Sequence, residues 1–290
     1  MFELLIFSGI LILIISIVLL WYLNSTSIKS LLNQEMTNLK YDIYKGSRNK
    51  ITEDDIKDFP SLIQRYFEFC GLIGQDNVIN FKMSVHGHLR LNNEQPWLKI
   101  DVTQFNYIPK PTRLFFIKAR FLGIMSMAGK DIYVDGKGNM QGKLMRVKTI
   151  FNERGKEFDI GEFTTFLNDL IICCPTGLIT LKDRLKWTEI DDKSVEVSLT
   201  DENQIVTARL FFGKNGELVN FTSTDRFYEE KDEQGNTKYV QGMWSTPIDS
   251  YQEIGEIKLP HRARAIWHKE SGEFCYAKFI LDNIEYNISN

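Results

Sequence analysis

The sequence predicts a mainly β protein: a curved antiparallel sheet or half-open barrel with a few packed helices, preceded by one transmembrane helix. Three observations predict it. From Val78 onward apolar and polar residues alternate over a long run, and turn signals then recur at spacings of roughly ten residues. Before both, the chain opens on an uncharged apolar stretch.

That stretch, Leu4 to Leu23, reads LLIFSGILILIISIVLLWYL. At about 1.5 Å of rise per residue, a helix of this length spans roughly 30 Å, the hydrocarbon core of a bilayer. Trp21 and Tyr22 stand where interfacial aromatic anchors stand. A cleaved signal peptide has a basic start, a shorter apolar core and a small-x-small cleavage site. Met-Phe-Glu at the start and Asn24-Ser25-Thr26-Ser27 after the run do not fit that pattern. Residues 1–27 are therefore expected to be a retained anchor, placing the chain in the cell membrane as a single-pass protein. Lys29 and Lys40 against Glu3 favour a cytoplasmic C-terminal part, and the side is left open.

Ile28, Leu31, Leu32, Met36 and Leu39 follow helical spacing, so residues 28–45 read as a juxtamembrane helix or linker. Residues 46–290 are expected to form a single β-rich domain. It starts with the acidic helix opening Thr52-Glu-Asp-Asp, then a helix opened by Pro60 and closed by Gly71. Leu62, Ile63, Tyr66, Phe67 and Cys70 share one side of that helix, a stripe wide enough to pack on a sheet.

Ile79, Phe81, Met83, Val85, Gly87, Leu89 and Leu91 then alternate with Asn80, Lys82, Ser84, His86, His88 and Arg90, a strand with one buried and one wet face. Trp97 to Phe105 and Arg113 to Phe121 continue it, and Asp135-Gly136 turns a hairpin whose return strand heads toward Phe151. One helix interrupts, with Asp159 and Glu162 as a carboxylate capping box and Phe163, Phe166, Leu167 and Leu170 as its apolar side. Strands resume at Leu185 and follow one another to Tyr286, for about ten to twelve strands in all.

Composition narrows the function. Aromatics make up 12% of the chain, ample material for a core, and a net charge of −3 with scattered Lys and Arg argues against a nucleic-acid partner. Cys70, Cys173, Cys174 and Cys275 have neither metal spacing nor a disulfide framework and read as free thiols.

Tyr251-Gln-Glu-Ile-Gly-Glu-Ile-Lys-Leu-Pro260, the strand to Trp267-His268 and Phe279 to Asn287 resemble the closing strands of bacterial lipoprotein-carrier and lipoprotein-sorting proteins. That resemblance implies a half-open barrel sheltering acyl chains around helices. Over most of its soluble part, the chain also resembles an uncharacterised bacterial membrane-anchored family of unknown function. The segments that carry this likeness are Arg65 to Gly74, Pro96-Trp97, Tyr133 to Met145, Trp187 to Asp192, Trp244 to Pro247 and Tyr251 to Trp267. Where that family often has Thr-Pro-Trp-Ser-Gly, this chain has Gly242-Met-Trp-Ser-Thr-Pro247. Neither resemblance supplies a catalytic residue.

No nucleophile elbow, zinc-protease helix, P-loop or Cys-x-x-Cys pair is present, and Gly136 to Gly142 reads as a hairpin turn rather than a phosphate loop. No enzyme activity and no cofactor are expected. His86 and His88 share one strand face about 7 Å apart and could begin a metal site, but Lys82 and Arg90 on that face would repel a cation. Ala263 and Ala265 leave room for a helix or a ligand to approach their strand. Trp97, Phe115, Phe116, Tyr251 and Trp267 are the expected walls of an apolar pocket. The function that follows is a membrane-anchored binding protein sheltering a lipid or acyl chain in a curved sheet. The alternatives are a hydrolase or metal-dependent enzyme using His86, His88 and Asp101 or Asp135, and a structural or protein-interaction domain without ligand.

Overall fold

The computed structural model describes residues 2–25, 28–39, 49–121, 125–144 and 148–289. Four helices come first: α1 (Phe2–Ser25), α2 (Ile28–Asn38), α3 (Glu53–Ile56) and α4 (Ser61–Cys70). Six strands follow, β1 (Asn80–Leu89), β2 (Leu98–Tyr107), β3 (Thr112–Phe121), β4 (Met125–Val134), β5 (Lys137–Leu144) and β6 (Lys148–Arg154). Then come α5 (Lys156–Cys173) and α6 (Gly177–Thr180). The second run of strands is β7 (Leu185–Asp191), β8 (Ser194–Asp201), β9 (Gln204–Phe212) and β10 (Leu218–Lys231). It continues through β11 (Thr237–Ser245), β12 (Ile248–Ile254), β13 (Ile257–Lys269) and β14 (Gly272–Tyr286).

All of these strands belong to one 14-stranded sheet, ordered β6-β5-β4-β3-β2-β1-β14-β13-β11-β10-β9-β8-β7, with β12 pairing β13 off that path. The mainly β, open antiparallel expectation holds, with more strands than the sequence pattern counted. The return toward Phe151 is two strands, β5 and β6, and β10 runs seven residues past Thr224 through a charged segment.

The sheet curls because α5 must be covered on more than one side. Phe163, Phe166, Leu167, Leu170 and Ile171 are fully buried on one face of α5, and the helix touches β3 to β6 as well as β9, β10 and β13. Burial of such side chains stabilises by about 1.5–3 kcal/mol each, which fixes the helix across the concave face. The expected capping box is corrected. α5 starts at Lys156 behind Gly155, whose φ of 130° suits glycine. Asp159 instead accepts hydrogen bonds from the Gly138 amide at 2.8 Å and from Lys137 Nζ at 3.0 Å, tying the helix to β5.

α2 packs on the opposite, convex face. Leu32 is buried with Phe105, Leu114 and Phe116, and Met36 and Leu39 extend the contact. Lys130 Nζ meets Glu35 Oε1 at 2.9 Å at its margin. The described part of the stretch read as a spacer is thus a helix seated on β2 and β3, and residues 40–45 lie outside the described residues. Leu32→Asp is expected to undock α2 and leave the sheet folded, read as lost amide-exchange protection in α2 with protection kept in β2 and β3.

Among the described residues no helix is long and apolar enough to cross a membrane. The run from Leu4 lies in α1, whose side chains are described over residues 6–18. The expected transmembrane helix over residues 1–27 and the single-pass cell-membrane localisation drawn from it are corrected accordingly. The side chains of Trp21 and Tyr22 lie outside the described residues.

Candidate functional site

α5 fills only part of the concave face. Beside it lies a cavity of about 350 Å³, walled by strands from both halves of the sheet and floored by the polar side of α5. Strand register explains its layering. Val85, Val102, Ile117, Gly129, Gly142 and Phe151 stand opposite one another across β1 to β6 and make an apolar row. The Phe151 ring lies over Gly142, where a Cβ would collide with it. Two residues along, Met83, Gln104, Phe115, Asp131 and Met140 form the next row and bring polar groups in. The far wall is Trp244, Ala263, Ala265, Tyr276, Phe279 and Leu281, and Leu91, 60% exposed, marks the mouth.

The floor is charged. Arg113, 4% exposed, donates from Nε to Asp169 Oδ2 at 2.7 Å and from Nη1 to Glu162 Oε2 at 2.9 Å, and its guanidinium lies 4.6 Å from the Phe115 ring centre. Gln104 Nε2 donates to the same Asp169 oxygen and to Asn106 Oδ1, both at 2.6 Å. Burial opposes the charge on Arg113, but Asp169 and then Glu162 outweigh it and hold the group above the usual guanidinium range. Burial raises the Glu162 carboxyl despite Arg113.

Arg226 approaches from β10, 4.4 Å over the Trp244 ring and 5.5 Å over Trp267, with Nη1 donating to Tyr276 Oη at 3.3 Å. Arg226 Nε and Gln104 Oε1 are buried without a hydrogen-bond partner among the described residues. Asp131 is half-buried on β4. Burial, then the neighbouring Glu162 charge, push its carboxyl up to about 7, with Arg113 and Arg226 pulling the other way. An acid whose folded pKa exceeds its unfolded value of about 3.9 disfavours the folded state progressively as pH rises between those two values. Asp131→Asn is therefore expected to raise the melting temperature above pH 7 and leave it unchanged near pH 3, which thermal unfolding across that range checks.

Of the expected pocket walls, Phe115 lines this cavity. Phe116 points to the convex face beneath α2. Trp97 is held between Arg90 at 4.6 Å and Lys278 at 4.7 Å, away from the lining. Tyr251 stacks edge-on against Phe69 and donates to the Leu218 carbonyl at 2.7 Å. Trp267 sits one layer back, behind Arg226 and Tyr276. His86 Nδ1 lies 2.5 Å from Asp282 Oδ1 on the exposed face. Asp101 stands opposite His86 in β2, and Asp135 pairs with Lys110. Among the described residues no three His, Cys, Asp or Glu side chains are placed to hold a metal ion. Sequence reasoning did not single out Gln104, Arg113, Asp131, Asp169 or Arg226, and it read Glu162 as part of a helix cap. The signal available was Arg113 at the head of the apolar run Leu114 to Ile117.

Two solved structures share a distant likeness. One is a domain assigned as an outer membrane lipoprotein-sorting protein of Vibrio parahaemolyticus, 10% identical, with a TM-score of 0.39 over 71% of this chain and 85% of that one. The other is a DUF1329 family protein of Desulfovibrio piger, 11% identical, with a TM-score of 0.42 over 79% of this chain and 92% of that one. Likeness this distant assigns neither chemistry nor ligand. No curated protein matches the sequence. A family of unknown function, DUF6544, matches residues 49–279, and the chain belongs to it.

Proposed function

We propose that this member of the family is a non-enzymatic binding protein that shelters one lipid or acyl chain in the cavity between α5 and the sheet. The observation that carries this reading is the cavity itself, about 350 Å³ with walls of Val85, Val102, Ile117, Phe115 and Phe151. That size falls within the range of small-molecule sites, and the wall chemistry suits a hydrocarbon. Each methylene moved from water into it contributes about 0.8 kcal/mol, so eight buried methylenes supply roughly 6 kcal/mol. Apolar walls such as Val85, Val102 and Ile117 favour an apolar guest over water.

The test is titration of the folded protein with the neutral fluorophore N-phenyl-1-naphthylamine. Saturable binding at one site per chain is expected. Ala263→Phe, which places a ring in the cavity from β13, is expected to weaken it about tenfold or more, equivalent to 1.4 kcal/mol. Unsaturable binding, or an affinity unchanged by the added ring, would overturn the reading.

A further inference from the structure

We infer that the cargo is a single-chain carboxylic acid, its carboxylate seated on the polar floor between Arg226 and Asp131 and its tail running along Val85, Val102 and Ile117 toward Leu91. This deepens the proposed function and rests on it.

Three arginines line the cavity, and Arg264 is paired with Asp249, Nη2 to Oδ1 at 2.9 Å. Arg113 is neutralised within the chain by Glu162 and Asp169. Arg226 faces the same cavity with no ion pair among the described residues, one buried N–H unused and its guanidinium plane fixed against two indoles. A guanidinium so placed is pre-organised for a carboxylate supplied from outside. Asp131 faces the cavity opposite Phe115 and likewise makes no ion pair among the described residues. With its carboxyl pushed up to about 7, much of it is protonated at neutral pH and able to donate its O–H.

A monoanionic carboxylate can accept from both groups at once. A dianionic phosphate would add charge beside Glu162 and Asp169, and an ammonium head would meet Arg113 and Arg226. The charged and titratable groups that line the cavity with Asp131 are Arg113 from β3, Glu162 and Asp169 from α5, Arg226 from β10 and His261 and Arg264 from β13, while its β5 partner is the uncharged Met140. Seating a carboxylate favours the protonated form of Asp131, so binding takes up a proton and weakens as pH rises through and above 7.

Displacement of N-phenyl-1-naphthylamine by hexadecanoate, hexadecanol and hexadecylamine, each below its aggregation limit, tests this. At pH 6.5 hexadecanoate is expected to bind about tenfold or more tighter than hexadecanol, the effect of a charge-assisted hydrogen bond. Its affinity is expected to fall by up to about tenfold per pH unit above 7. Asp131→Asn, whose amide donates at every pH, is expected to flatten that slope and keep the preference, and Arg226→Met to abolish the preference. Equal binding of acid and alcohol, preference for the amine, or an unaltered slope in Asp131→Asn overturns the inference while leaving the apolar site intact. No displacement by any of the three, with no dye binding, overturns the proposed function as well.

Discussion

Arg113→Met is expected to lower the stability of the fold by about 3–5 kcal/mol, the cost of leaving buried charges without their partner. The side chain is 4% exposed and serves two carboxylates at once, Glu162 and Asp169, both on the cavity side of α5. Methionine preserves most of the volume, so the loss would come from electrostatics rather than from a void. For a chain of this size, such a change corresponds to a fall in melting temperature of roughly 6–20 °C. Denaturant unfolding should show a lower midpoint with an unchanged slope. The triple variant Arg113→Met/Glu162→Gln/Asp169→Asn is expected to recover much of the loss, because it removes the stranded charges together with their partner. A single variant as stable as the parent would show that these carboxylates do not depend on Arg113.

Gly87→Ala is the second large effect, about 3 kcal/mol of destabilisation, at the seam where the first and last strands of the sheet meet. Gly87 pairs with Phe279 across β1 and β14, and a Cβ at this position would overlap the Lys278 carbonyl oxygen. That oxygen belongs to the backbone of a paired strand, so relief requires displacing the ladder itself. Chemical denaturation of the alanine variant should show the loss. Faster amide exchange concentrated along β1 and β14 would locate it. The seam also carries Val85 and Leu281 of the cavity wall, so the same variant is expected to weaken binding of the neutral dye.

How much of this was legible from the residues depended on what covers each face. β1 could be read outright, because Phe81, Met83 and Val85 face the core while Lys82, Ser84 and His86 face water. β3 could not. Leu114-Phe-Phe-Ile117 is apolar on both faces, and only the seating of α2 over Leu114 and Phe116 shows which face is inward. That ambiguity set Phe116 beside Phe115 among the expected pocket walls. α5 misleads in the opposite direction, since Glu162, Thr165, Asn168 and Asp169 repeat at the spacing of a solvated stripe yet face a cavity. Arg226 lies beyond Thr224, in a charged segment without apolar alternation, and it becomes part of a strand only through pairing with β11. The helical spacing of Leu32, Met36 and Leu39 was visible, but the face that receives them was not, because a docking partner distant in sequence leaves no local periodicity.

The central claim is an unfilled volume beside α5, apolar along its walls above the charged floor. A crystal of the protein pressurised with xenon tests it most directly, since xenon enters dry apolar cavities and reports their position. The expected result is xenon density bounded by Val85, Val102, Ile117 and Phe151, absent in Ala263→Phe. Ordered water along Val85, Val102 and Ile117, or side chains closed over that volume with no xenon, would contradict the account.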